Sequence, residues 1–326
     1  MRILVTGGAG FIGGNFIHYM IDKYQELELI CFDALTYAGN LSTLAPVSDN
    51  SRFTFVKGDI SSVDSVDSVF SQNAFDAVVN FAAEAHVDRS IENPSVFLKT
   101  NIIGTQVLMD ACLKYKVARF HQISTDEVYG GLPLNRPDLA FDENSPLKAS
   151  NPYAASKAAA DLLVLSYVRT HDLPATISRS SNNYGPYQYP DKLISLMIVL
   201  AMVDKPLPVF GDGLNVRDWL HVKDHCAAID AVLHHGTLGE VYNIGGNCEK
   251  DNLEIVSSIL DLTSRSKSLI TFVEDRPGHD LRYALDSTKA QRELGWKPAM
   301  DLDAAGLKDT VNWYKKNQEW WKPFMR

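Results

Sequence analysis

Two adjacent carboxylates, Asp126 and Glu127, stand just beyond the short apolar run Arg119-Phe120-His121-Gln122-Ile123, separated from it by Ser124-Thr125. Ligands of open α/β sheets bind outside the carboxyl ends of strands, so acids at a strand end are placed for chemistry. In a closed pocket each would feel the other's charge and the loss of water, leaving one protonated and one ionised, an acid and a base one residue apart. On a solvated loop the same pair would be unremarkable, and the dipeptide by itself does not decide between the two. Further along, Asn151-Pro152 marks a helix start, and Tyr153, Lys157 and Asp161 recur every four residues on one face. An ammonium one turn from a phenol, with a second cation nearby, favours the phenolate and brings a pKa of about 10 towards neutrality. Tyr153 then reads as a base for a sugar or alcohol hydroxyl, although a Tyr and a Lys four apart are also common on exposed helix faces.

The elements that must position these groups begin at the N-terminus. Arg2 to Thr6 is a strand-like run broken by Gly7, Gly10 and Gly13, and Phe16, Ile17, Met20 and Ile21 follow at helical spacing. Strand, glycine turn and helix in that order form a dinucleotide cradle, in which Gly7, Gly10, Phe11, Ile12 and Gly13 bring backbone N–H groups to a pyrophosphate. A second strand, from Glu28 to Phe32, ends in Asp33, about 20 residues past the glycines as expected of a ribose-binding acid. Asp33 would repel a 2'-phosphate, which selects NAD over NADP; the second cation beside Tyr153 is then a nicotinamide. Further strands are expected at 53–57, 77–81, 119–124 and 175–179, between helical segments such as 62–71 and 96–115. Asp59 with Ile60, and Ala82 on the following strand, fall at strand ends where the cofactor would run. Strands alternating with helices give an α/β fold, a doubly wound parallel sheet of the Rossmann type, with a smaller C-terminal lobe for substrate.

Composition narrows the partners. At 326 residues the chain is long for one domain, and 45% apolar residues are ample for a packed interior. A formal net charge of -9 argues against a general binder of nucleic acid. Four cysteines, Cys31, Cys112, Cys226 and Cys248, show neither metal-ligand nor disulfide spacing, which fits a reduced cytoplasmic compartment and no metal. No apolar run approaching the roughly 20 residues of a membrane span is expected, nor a signal peptide.

Together these residues resemble the extended short-chain dehydrogenase/reductases and, within them, the dTDP-glucose 4,6-dehydratases. The resemblance runs over nearly the whole chain: Thr-Gly-Gly-Ala-Gly-Phe-Ile-Gly at 6–13, Asp-Ala-Leu-Thr-Tyr-Ala-Gly-Asn at 33–40, His-Val-Asp-Arg-Ser at 86–90, Asn-Ile-Ile-Gly-Thr at 101–105, the Tyr153 and Lys157 pair, Ser-Asn-Asn-Tyr-Gly-Pro-Tyr at 181–187, Asn-Val-Arg-Asp-Trp at 215–219 and Asp-Arg-Pro-Gly-His-Asp at 275–280. The glycine and Tyr-Lys motifs carry only the superfamily. Thr125-Asp126-Glu127 is the discriminating piece.

The resemblance implies a division of labour. Tyr153 takes the proton of the sugar C4 hydroxyl as NAD accepts the C4 hydride, Lys157 holds the cofactor ribose, and Thr125 hydrogen-bonds the C4 oxygen. Glu127 removes the C5 proton while Asp126 protonates the departing C6 hydroxyl, and the hydride returns to C6. Asn182, Lys192 and Arg217 are donors suited to a diphosphate, and Phe210 offers a face to a pyrimidine base. Family resemblance adds Leu193, Pro208, Asn252, Asp275, Arg276 and His279 to the nucleotide-sugar site and gives Asn183 to the cofactor. It also implies a homodimer paired through the helices at 96–115 and 153–170 in a four-helix bundle. The expected division is an NAD-binding domain at 1–180, with 218–244 returning to it, and a nucleotide-sugar-binding domain at 181–326. Three positions depart from the family pattern: Ala85 stands where serine is expected, Phe210 where tyrosine is common, and Ser180 where cysteine is expected. Trp296, Trp313, Trp320 and Trp321 read as packing of late helices. A UDP-sugar epimerase or decarboxylase, and a non-catalytic NAD-binding scaffold, share much of this pattern and stay open at this point.

Overall fold

Strands that read as unbroken apolar runs belong inside a sheet covered on both faces, and the computed structural model, which describes residues 1–325, places them there. The strands are β1 (Arg2–Thr6), β2 (Glu28–Asp33), β3 (Phe53–Lys57), β4 (Ala77–Asn80), β5 (Arg119–Thr125), β6 (Ala175–Ser180), β7 (Asn182–Tyr184), β8 (Leu207–Phe210), β9 (Val216–His221), β10 (Val241–Ile244), β11 (Glu249–Asp251) and β12 (Ile270–Val273). Seven of them form one sheet in the order β10-β6-β5-β4-β1-β2-β3, every pair parallel. Winding reverses between β1 and β4, and that reversal opens a crevice at the carboxyl edge.

Side-chain alternation divides the core. Ile3 and Val5 face one layer with Phe16, Ile17 and Met20 of the Phe11–Lys23 helix and Ile229 and Leu233 of the Val222–His235 helix. Leu4 faces the other layer, with Phe70, Leu108, Met109 and Val164. A third apolar cluster, built on Ile198, Ile259, Val311 and Trp321, lies among the C-terminal helices, with the β11-β9-β7 and β12-β8 sheets. The late tryptophans pack there or nearby: the Trp296 indole donates to the Asp224 carbonyl at 3.0 Å, and Trp313 and Trp320 meet edge to face at 5.3 Å.

Several boundaries shift from the sequence reading. β4 stops at Asn80, β5 runs one residue further to Thr125, and β6 reaches Ser180. One expectation is corrected outright. Pro94–Lys114 is a continuous 21-residue helix with a mean hydropathy of 1.2, long and apolar enough to cross a membrane by length and composition. Half of its most apolar stretch is buried in the fold, where Leu108 and Met109 join the layer of Leu4 and Phe97 meets the Tyr153 ring edge to face at 6.4 Å. Its middle, Leu98–Gly104, widens to π-helical geometry, a local bulge often found at functional sites. The bulge turns Asn101 inward: its side chain accepts from Glu84 N at 2.9 Å and donates to the Ser156 hydroxyl at 2.8 Å.

Candidate active site

The glycine turn after β1 is built for a close approach. Gly7 has φ +67°, and a Cβ there would sit 2.6 Å from the Ala82 backbone nitrogen, while one at Gly13 would sit 2.5 Å from the Gly7 carbonyl oxygen. The Phe11–Lys23 helix starts from Gly10 with no side-chain cap and no acid in its first turn. Its first amides therefore remain available to an anion, with the helix dipole behind them. Asp33 ties this turn to the end of β2: its carboxylate accepts from Ala9 N at 2.9 Å and from Leu35 N at 2.7 Å. Burial raises the Asp33 pKa and those two amides oppose the rise. A turn that excludes side chains, an uncapped helix start and an acid at the next strand end fit a dinucleotide.

The crevice holds a cavity of about 480 Å³. Every residue assigned above to catalysis, cofactor or nucleotide sugar lines it, with one exception. Asp275 is off the wall and acts from behind, its carboxylate accepting from His279 Nδ1 at 2.7 Å and from Arg276 N at 2.9 Å.

Thr125 ends β5, and Asp126–Tyr129 follows as a 3-10 turn. The Thr125 hydroxyl caps that turn by accepting from Glu127 N at 3.3 Å. Gly130 closes it at φ +82°, where a Cβ would lie 2.4 Å from the Lys148 carbonyl oxygen. Asp126 is 1% exposed, and its Oδ2 has no hydrogen-bond partner. Burial pushes this carboxyl well above the usual range, Glu127 and Asp218 add to the rise, and Arg217 and Thr125 oppose it. Glu127, partly exposed to the cavity, is also raised by burial, but Lys192, Arg217 and Asn151 pull it down. Asp126 therefore holds its proton more firmly than its neighbour.

The lowering of the Tyr153 phenol, expected from Lys157 together with a nicotinamide cation, does not come from Lys157 alone. The Lys157 ammonium donates to the Ile123 carbonyl at 2.6 Å. Burial brings its pKa down to about 8, with Asp161 opposing the drop. Burial drives the Tyr153 phenol upward, Glu127 raises it further, and only the Thr125 hydroxyl lowers it. The protein by itself thus keeps the phenol protonated, because desolvation and the carboxylate pair outweigh an ammonium committed to a carbonyl.

On the opposite wall, Arg217 donates to the Asp280 carbonyl at 2.9 Å and stacks 4.5 Å over the Tyr283 ring. Phe210 is less open than expected, because the Arg276 guanidinium covers one face at 4.4 Å. Lys192 donates to the Ala85 carbonyl at 2.6 Å, a backbone contact that does not depend on the side chain at that departure from the family pattern. Asn183 accepts from His225 Nδ1 at 2.9 Å, which fixes its amide, and burial lowers the His225 pKa to about 3. The residues missed from sequence are mainly those behind the wall: Asn101, Asp218, His225 and the partners of Asp161. Only Asp161 carried a signal, its four-residue spacing from Lys157.

The family model described as GDP-mannose 4,6 dehydratase matches residues 4–309. A dTDP-glucose 4,6-dehydratase of Streptomyces niveus is 49% identical over 327 residues, which cover 99% of this chain and 95% of that protein. The crystal structure of dTDP-glucose 4,6-dehydratase from Bacillus anthracis in complex with NAD superposes with a TM-score of 0.92 at 49% identity, covering 99% of both chains. The enzyme of the same name from Streptomyces venezuelae, crystallised with NAD and a second ligand, gives a TM-score of 0.94 at 46% identity, again over 99% of each chain.

Two outcomes follow from this geometry. Gly7→Ala forces a Cβ against the Ala82 backbone at a positive φ; dinucleotide affinity, measured by calorimetry, is expected to fall by at least about tenfold. The second concerns pH. Folded Asp126 keeps its proton above the pH, about 4, at which the unfolded carboxyl loses it, so its burial costs stability as pH rises through that window. Asp126→Asn removes the cost. Its thermal midpoint is expected to exceed the wild-type value at pH 8, with the difference shrinking as the pH is lowered, even though turnover is lost.

Proposed function

Because the chain belongs to the GDP-mannose 4,6 dehydratase family, we propose that it is an NAD-dependent dTDP-glucose 4,6-dehydratase, converting dTDP-glucose to dTDP-4-keto-6-deoxyglucose and water. The observation that carries this reading is the carboxyl pair at the end of β5, with Asp126 sealed and holding its proton while Glu127 faces two cations. Elimination of water needs one group to give a proton and another to take one, whereas a 4-epimerase needs neither.

NAD, when bound, supplies the two-electron acceptor at C4 and the matching donor at C6. Gly7, Gly10, Phe11, Ile12 and Gly13 would hold its pyrophosphate, Asp33 its adenosine ribose, and Asp59, Ile60 and Ala82 its adenine side, with Asn183 and Lys157 at the nicotinamide end. Asp33 favours NAD over NADP by repelling a second phosphate. Thr125 hydrogen-bonds the C4 oxygen, and Tyr153, whose phenol the protein alone keeps protonated, would ionise beside the nicotinamide cation and take the C4 hydroxyl proton. A carbonyl at C4 acidifies C5–H; Glu127 removes that proton, and Asp126 delivers its own to the C6 oxygen, which leaves as water. Asn182, Lys192 and Arg217 hold the diphosphate, while Leu193, Pro208, Phe210, Asn252, Arg276 and His279 enclose the nucleoside, with Asp275 orienting His279.

The same reading divides the chain into an NAD-binding domain at 1–180, joined by 218–244, and a nucleotide-sugar-binding domain at 181–326. It makes the protein a cytoplasmic homodimer acting on a small nucleotide sugar rather than on nucleic acid or a membrane. Support for the dimer comes from Val96, Leu98, Ile103 and Leu162, all more than two-fifths exposed on the two helices expected to pair.

Mass spectrometry of the product from dTDP-glucose in deuterium oxide is expected to show loss of water with one deuterium retained at C5; an unchanged sugar, or a C4 epimer, would refute the reading. Asp126→Asn, Glu127→Gln and Tyr153→Phe are each expected to lower kcat by about 10² to 10⁴ with NAD still bound. A non-catalytic scaffold predicts no change in cellular function for all three. Leu162→Glu with Ile103→Glu is expected to convert a dimer to monomer in sedimentation experiments, and a wild type that sediments as a monomer would exclude the dimer.

A further inference from the structure

Asp161 and Arg179 form an ion pair at 2.8 Å with side chains 0% and 3% exposed, away from the cavity wall. A buried pair of this kind adds little to stability; replacing both members with apolar groups of similar volume is often neutral or stabilising. Its value must then be sought in what it holds. Ser124 donates to Asp161 Oδ2 at 2.9 Å, the same oxygen that accepts from Arg179 Nε. Arg179 Nη1 donates to the Tyr129 hydroxyl at 2.8 Å, and the guanidinium lies 4.9 Å over the Tyr129 ring. Tyr129 in turn donates to Asn243 Oδ1 at 2.8 Å, and the Asn243 amide is fixed by the Phe141 carbonyl at 2.9 Å. Ser124 and Tyr129 are the residues on either side of the 125–128 segment. The pair therefore grips both ends of the stretch that carries Thr125, Asp126 and Glu127.

Asp161 also rides on the Pro152–His171 helix, the element that carries Tyr153 and Lys157. One rigid helix thus sets the phenol and ammonium directly and the two carboxyls through Asp161. Constellations of this kind must hold their geometry within about 0.5 Å, which side-chain packing against a loop does not secure. We infer that Asp161, Arg179 and Tyr129 are positioning residues that lock the acid–base segment in register with the Tyr153 helix. The inference rests on the assignment of Asp126 and Glu127 to elimination.

The test uses two variants of the full chain, Tyr129→Phe and the paired change Asp161→Leu with Arg179→Met. Thermal midpoint, dTDP affinity, kcat and KM for dTDP-glucose, and the primary isotope effect from substrate deuterated at C5 are measured for each. A register slip near 1 Å costs about a hundredfold in rate. The expected result is a kcat lowered tenfold to a hundredfold per folded molecule, with dTDP affinity and KM little changed. The C5 isotope effect should rise above the wild-type value, because proton removal by a displaced Glu127 becomes slower relative to the other steps. A merely structural role predicts a lower thermal midpoint with kcat per folded molecule and isotope effect unchanged, and that result overturns the inference. Should the paired variant fail to fold, Tyr129→Phe, which keeps the ring and removes only the hydroxyl, decides. A wild type that binds dTDP yet leaves dTDP-glucose unchanged would instead refute the assigned reaction, and the clamp's catalytic role with it.

Discussion

Burial of two carboxyl groups at the end of β5 is the constraint on which the rest of the site turns. Desolvation alone would push both toward the neutral acid, so a functional difference between them must come from unequal neighbours. β9 supplies part of that inequality through strand alternation. Arg217 faces the cavity and opposes the rise at both carboxyls, while Asp218, one residue on and facing away, adds its charge against ionisation of Asp126. Asp218 is held by Gly246 N at 2.8 Å and Cys248 N at 2.7 Å, so its position is fixed by backbone and not by the acid it influences. Lys192 then adds a second cation on the Glu127 side alone. One cause raises both groups, and the placement of two charges, Asp218 and Lys192, separates them.

The sheet brings these parts together by its winding order. Gly7 follows β1, Asp33 ends β2, Ala82 follows β4, Thr125 ends β5 and Asn183 follows β6, so residues from five separate stretches of chain converge along one edge. The reversal between β1 and β4 leaves a gap there that no crossover helix fills. Close approach of the glycine turn to Ala82 narrows its floor, which is why the backbone, rather than side chains, forms the anion-binding end.

What the sequence made legible follows from the range of each signal. Gly7, Gly10, Gly13 and Asp33 were readable because strand, turn, helix and acid lie within one local unit whose spacing is set by backbone geometry. Tyr153, Lys157 and Asp161 were readable as one helix face for the same reason. Asp161's actual partners were not, since Ser124 and Arg179 reach it from two strands, and Tyr129 joins through Arg179 from a turn, that only the tertiary fold brings near. The share of Lys157 in the Tyr153 shift was not legible for a related reason: the four-residue spacing puts Lys157 one turn away but cannot show that its ammonium is taken by the Ile123 carbonyl. The apolar length of 94–114 was also missed, because polar residues interrupt the run on both sides of the helix, Lys99 and Asp110 exposed and Asn101 and Thr105 buried. The strands of the C-terminal sheets, β7, β8, β11 and β12, are three or four residues each, too short for periodicity to register.

A single environment acts on every group at the centre of the cavity, and it acts in one direction. Burial raises the Asp126 carboxyl and the Tyr153 phenol and lowers the Lys157 ammonium to about 8, in each case toward the uncharged form. A wall of neutral groups can be kept dry at modest cost, whereas the same groups fully charged and unpaired would each carry a large desolvation penalty. Three cations, Arg217, Lys192 and Arg276, stand around the other half of the cavity, where carbonyls and aromatic rings hold them: Asp280 O and Tyr283 for Arg217, Ala85 O for Lys192, Phe210 for Arg276. Those partners neutralise no charge, so Arg217 and Lys192 keep their attraction for an anion, while Arg276 also meets the Asp88 carboxylate at 3.5 Å. The fold thus separates two environments: burial presses the groups at the β5 end toward their uncharged forms, while cations resting largely on carbonyls and rings face them across the cavity.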